Sequence, residues 1–229
     1  MTPETLLAVL QFADGLFPAG GFAHSFGLET YVQAHTVRDR PDLEAFVIAH
    51  LDGGLGPADA VAAAVAAGRA AAGDIEGCIA VDDRLDAMKC VPEFAVASRQ
   101  MGRQTARVAA AVTGDAWLAA LASSVEDGIT PGHAAVLFGA VTGRAGADAE
   151  TAAAAFLHSS VTLLVGAALR LLPLGQLDAQ RVLAAVRPRV LAWAGAAAHA
   201  VVEDMWSFTP GLDIAGIRHA DLEARLFRS

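Results

Sequence analysis

Lysine is all but missing from this 229-residue chain: Lys89 is the single one, and arginine supplies the rest of 16 basic residues against 25 acidic ones. The net charge of −9 and a pI near 5.1 exclude an ordinary nucleic-acid binder, which needs a basic face to displace the counterions of phosphate. Cysteine is nearly as scarce. Cys78 and Cys90 form neither a Cys-x-x-Cys pair nor a disulfide framework, so a reducing, cytoplasmic setting is expected. The start, Met1-Thr2-Pro3-Glu4, lacks the basic segment of a secretory leader. No run alternates Val, Ile, Thr and aromatic residues as a half-buried strand does, so no sheet is expected. Long uninterrupted apolar runs are also lacking. The best candidate, residues 156–172, carries His158, Ser159, Ser160 and Arg170 and is stopped by Pro173. A membrane span needs about 20 apolar residues, so this stretch reads as a central helix buried by other helices.

What is present is alanine and helix punctuation. Hydrophobic residues make up 55% of the chain and charged ones 18%, enough for a packed interior. Thr2 and Pro3 open a first helix, and residues 14–22, with Gly15, Pro18, Gly20 and Gly21, break it. A second helix is expected from about Ser25, a third from Asp39-Arg40-Pro41-Asp42, and an alanine-rich one restarting at Gly56-Pro57. Asp74, Pro92, Asp115, His133 and Asp148 mark further starts, and two more helices divided near Pro188 reach Trp206. The architecture expected is all-α: a compact bundle of about ten helices over residues 1–212, with a flexible, partner-binding tail over residues 213–229. Pro210-Gly211 separates that tail from the core, and its Leu222, Leu226 and Phe227 form an amphipathic stretch that orders against a partner. Truncation from Gly216 is then expected to leave a folded remainder.

Motifs with chemical content are few. Ala23-His24-Ser25-Phe26-Gly27 has the outline of a serine-hydrolase nucleophile elbow, but that device needs a strand to deliver the serine, and here Ser25 reads as a helix N-cap. Lys89 lacks the glycines and hydroxyl of a P-loop, and Pro18-Ala19-Gly20-Gly21, which has the glycines to cradle an anion, reads as a structural turn. Two His–Glu pairs at helical spacing, His199 with Glu203 and His219 with Glu223, supply too few ligands for a closed metal site, so nickel storage by scattered histidines is a rival reading only. Arg99, Arg103 and Arg107 stand four apart on one helix, as a solvated stripe or a docking surface for acidic groups. Arg170 and Gln176 flank the Pro173-Leu174-Gly175 corner, where a charge at the end of so apolar a helix calls for a partner.

Several of these segments together resemble the UreF family of urease accessory proteins. Leu10-Gln11-Phe12-Ala13-Asp14 followed by residues 18–29 is similar to that family's opening motif; residues 98–103, His133 with Gly139, the corner from Arg170 to Gln176, and the ending from Leu212 to Ser229 follow in the same order. The resemblance implies an all-α homodimer without catalytic activity or a resident cofactor. It also implies partners: UreD (also called UreH), the GTPase UreG and the urease apoprotein, in an assembly that guides GTP-dependent nickel delivery, the metal being cargo in transit. The residues it points to as protein-binding are Pro18, Gly20, Gly21, His24, Ser25 and Glu29 near the start. Arg99, Arg103, Arg170 and Gln176 follow, then His219, Arg225, Leu226 and Phe227 at the end. Two positions depart from the family pattern: Ala220 replaces a glutamate, and Gly216 replaces a serine and is expected to loosen the tail.

Overall fold

The computed structural model describes residues 1–229, and every regular element in it is helical. Eleven α-helices follow one another: α1 (Pro3–Ala13), α2 (Leu28–Gln33), α3 (Arg40–His50), α4 (Val61–Ala71), α5 (Ile75–Asp86), α6 (Pro92–Thr113), α7 (Ala116–Glu126), α8 (Ala134–Arg144), α9 (Ala149–Leu171), α10 (Gln176–Ala197) and α11 (Pro210–His219). The caps read from sequence hold at most starts. Thr2, Asp39, Asp74 and Asp148 each accept a hydrogen bond from the backbone N–H three residues on, at 3.2, 3.0, 2.8 and 2.7 Å.

The centre is an alanine-rich crossing. Helix α8 is buried along residues 135–143, and α4 along most of its length. Gly139 and Gly143, one turn apart on α8, sit against the backbone of Ala63 and Ala67, and a methyl group on either would lie 2.7–2.8 Å from those Cα atoms. Only glycine permits that approach, and it lets α8 lie in the middle of the molecule without a gap. Helix α9 is long and apolar enough to cross a membrane, but Phe156, Leu157, Leu164 and Val165 are buried in this core.

Two expected breaks are not breaks. Between α3 and α4 the chain stays helical through Leu51–Ala60 as a widened π-type stretch that takes in Pro57. The wider turn frees backbone carbonyls, and the passing segment 206–208 collects them: Trp206 N–H donates to Pro57 O at 3.3 Å and Phe208 N–H to Gly53 O at 2.8 Å. Helix α10 likewise runs through Pro188, on an exposed face where the carbonyl that proline cannot satisfy is open to solvent.

The tail needs the largest correction. Residues 213–229 do not stand off from the core. Ala215, Gly216 and His219 are buried on α11, and Phe227 and Ser229 are buried beyond it. Gly216 does not loosen this segment: a side chain there would strike the Phe94 ring, so glycine lets α11 pack closely on α6. Ala220 is exposed.

Candidate functional site

Segments nearly two hundred residues apart in sequence build one locus. It combines the loop and turn before α2, the C-terminal end of α9, the N-terminal part of α6, and the tail. Glu29, on the first turn of α2, is 2% exposed, and its carboxylate accepts three hydrogen bonds from the tail. Leu226 N–H reaches Oε1 at 2.7 Å, Phe227 N–H reaches Oε2 at 3.1 Å, and His219 Nε2 lies 3.0 Å from Oε2. His219 Nδ1 is 2.7 Å from Glu93 of α6, which also holds Arg225 at 3.1 Å. The His219 ring thus has a carboxylate oxygen against each of its nitrogens. That arrangement fastens the tail to two helices at once.

Ser25 closes the other end of the clasp. Its Oγ donates to Ser229 O at 2.8 Å, while the N–H groups of Ser25 and Phe26 donate to the same oxygen at 2.7 and 3.0 Å. The N-cap reading of Ser25 is therefore revised: Gly27, with φ of +85°, begins α2, and Ser25 Oγ reaches Glu29 N–H only at 3.3 Å. The buried hydroxyl is spent on the tail, and no strand lies beneath it, so the nucleophile-elbow outline has no counterpart in the fold. His24 Nδ1 meets Ser229 Oγ at 2.9 Å, and burial, with help from Arg228, lowers the pKa of its ring. Arg170, at the end of α9, donates to Phe22 O at 2.7 Å and stacks 4.2 Å over the Phe227 ring. Gly21 lies where a side chain would collide with Leu163 and Met101, which brings this loop down onto α9 and α6.

Of the residues singled out from sequence, Gly20, Gly21, His24, Ser25, Glu29, Arg170, His219, Arg225, Leu226 and Phe227 thus fall in one neighbourhood. Pro18 lies beside it, on the wall of an apolar cavity of about 890 Å³ between the loop, α6 and α9. Gln176 is exposed at the start of α10, apart from the clasp. The arginine stripe divides: Arg99 is bound to Asp86 of α5, Arg107 to Gln104, and Arg103 is exposed without a partner. Neither His–Glu pair shares a helix. Helix α10 ends before His199, and His219 turns inward to Glu29.

Sequence reading takes His133 for a hydrogen-bonded structural residue rather than a metal ligand, and hydrogen-bonded it is, but the buried carboxylate network around it at the entrance to α8 was missed. Asp82 accepts from Thr130 Oγ1 at 2.6 Å, from Gly132 N–H and from His133 N–H at 2.9 Å, which pins the loop that starts the central helix. His133 bridges Ser98 Oγ at 3.0 Å and Asp86 at 2.8 Å. Burial works against the Asp86 charge, but the bonds from His133 and Arg99 outweigh it and lower its pKa. The acidic spacing of Asp82 and Asp86 along one face of α5 was the available signal.

Comparison with known proteins bears directly on this locus. The UreF family model matches residues 37–187. The urease accessory protein UreF of Trichodesmium erythraeum (strain IMS101) is 36% identical over 221 residues, 96% of this chain and 95% of its own. That of Rhodopseudomonas palustris (strain BisA53) is 37% identical, covering 98% of this chain and 93% of its own, and that of Geobacillus kaustophilus (strain HTA426) is 29% identical over the full length of both. The chain belongs to the UreF family. The model match covers neither the loop before α2 nor the tail, whereas the alignment with the Geobacillus kaustophilus protein extends over both.

Proposed function

We propose that this UreF-family chain is a non-catalytic, cytoplasmic scaffold in urease maturation, and that the clasped tail with the loop beside it is its partner-binding face. One observation carries this reading. Buried polar bonds lock the tail in place, yet the tail and the loop beside it present large apolar side chains to solvent: Leu16 is 92% exposed, Phe22 76%, Leu226 60% and Ile217 59%. Energy spent on ordering a segment that then displays apolar groups suits a docking surface. The partners are UreD (UreH) and, through the assembly, the GTPase UreG and the urease apoprotein, with the chain itself a homodimer. Nickel is the cargo of that assembly and not a resident cofactor.

Co-purification tests it. Phe22→Asp and Leu226→Asp alter exposed side chains and leave the clasp bonds intact, so both variants should fold. Each should lose UreD from a pull-down in cells expressing the accessory proteins. Recovery of UreD at the unaltered yield from both would refute the assignment of this face. Light scattering of the purified chain reads the dimer independently.

A further inference from the structure

Beside the clasp lies a second concavity of about 330 Å³, and its polar lining is cationic without being compensated. Arg170 and Arg228 both line it, together with Gln100 and His24, and no acidic residue does. Neither guanidinium pairs with a carboxylate anywhere, whereas Arg38, Arg40, Arg69, Arg99, Arg144 and Arg225 all do. In a chain of net charge −9, a pocket lined by two unpaired arginines and no acidic residue stands out from the rest of the composition.

Part of the lining is held in place. Arg170 is fixed by Phe22 O and by the Phe227 ring, contacts that orient a guanidinium without neutralising it. His24 is 5% exposed, and with Nδ1 on Ser229 Oγ its Nε2 is left without a protein partner. The Arg228 side chain makes no hydrogen bond within the chain, although its backbone N–H is anchored on Ala23 O at 2.9 Å. We infer that this pocket binds a small oxyanion, a carboxylate or phosphate group held between the Arg170 and Arg228 guanidiniums, with Gln100 and His24 Nε2 as further donors. Planar, multiply donating guanidinium groups suit such a ligand, and the volume admits an oxyanion together with the fragment that carries it. The charge environment of His24 agrees: burial lowers its pKa, and the nearby Arg228 charge adds to the effect. The pocket abuts the proposed docking face but is inferred independently of it.

The test is a titration of the full chain with sodium phosphate, and separately with sodium acetate, at constant ionic strength. It is followed through the ¹⁵N-imidazole signal of His24, identified by its loss in His24→Gln. A saturable shift is expected from at least one anion, with Kd of about 1 mM or tighter, and Arg228→Gln should weaken it roughly tenfold, the effect of losing one charge-assisted contact. Arg228 is exposed and makes no side-chain bond, so that variant should fold; Arg107→Gln, on another part of α6, should leave the titration unchanged. A shift that never saturates with either anion, or equal affinity in Arg228→Gln, overturns the inference. A second arm separates the sources: phosphate that displaces a co-purified partner identifies a protein carboxylate as the occupant, and binding without displacement identifies a free anion.

Discussion

Replacing Glu29 by alanine should open the clasp while the helical core persists. The carboxylate accepts from two tail amides and one imidazole nitrogen, all inside or at the edge of the fold. Hydrogen bonds to a charged group contribute about 1.5–3 kcal/mol each, and removing the acceptor leaves His219 and the Phe227 amide buried and unsatisfied. Tail-ward contacts of Ser25 and Arg170 remain, so we take the loss of docking free energy as about 3 kcal/mol, the contribution of one such bond at the upper end of that range. This corresponds to a roughly hundredfold rise in the undocked population. Limited trypsin digestion reads it, because Arg218, Arg225 and Arg228 provide sites in the tail. When opening is fast compared with cleavage, the rate follows the open population. Cleavage at Arg225 should therefore accelerate by about two orders of magnitude in Glu29→Ala, with helical circular dichroism nearly unchanged. An unaltered cleavage rate would refute the claim that this carboxylate holds the tail. The same reasoning revises the effect of truncation from Gly216: the remainder would bury Glu29 without its donors, so it should be less stable rather than simply shorter.

Three further outcomes follow from the packing and the titrating groups. Gly139→Ala forces a methyl into the Ala63 backbone and should cost about 3 kcal/mol, roughly 6–12 °C in Tm for a chain of this size, whereas Gly166→Ala on α9 meets nothing within 4 Å and should be neutral or slightly stabilising in the same melting assay. His50 has a buried Nδ1 with no partner, and burial lowers its pKa from 6.5 to about 4. Between those values the unfolded chain binds a proton that the folded chain refuses, so stability falls with falling pH, by at most about 3 kcal/mol from this group; urea unfolding at pH 7 and pH 4.5 should show that His50→Gln loses less stability on acidification. Asp82→Asn keeps one acceptor but turns an N–H₂ toward donors at the start of α8, and should cost about 2–3 kcal/mol in the midpoint of urea unfolding.

Helix existence was legible because capping residues and apolar periodicity are local properties. Thr2, Asp39, Asp74 and Asp148 could each be read without knowing what packs where. The errors arose where distant chain decides. Pro57 looked like a restart because the sequence does not reveal that residues 206–208 arrive to take up the carbonyls a widened turn releases. Pro188 looked like a boundary because its exposure, which makes the lost bond cheap, is a tertiary fact. The tail looked detached because Pro210-Gly211 is a real local break, while the residues that recapture the chain beyond it lie near the other end. The family motifs included most of the residues that the structure brings together in the clasp, yet its chemistry, a carboxylate clamped by tail amides, depends on pairings separated by 190–198 positions. Glu93 carried no motif and became visible only through its partners, and Asp82 and Asp86 offered no more than their spacing on α5.

The long span of the clasp also sets an order of events during synthesis. Ser25 and Glu29 leave the ribosome early, but the groups that satisfy them emerge some two hundred positions later. At about 5–20 residues per second that delay is roughly 10–40 s, during which the helices can assemble around an unfinished seam. A chain interrupted before its last residues would carry most of the fold but never complete the face beside the clasp. The face beside the clasp is therefore the last part of the fold to form.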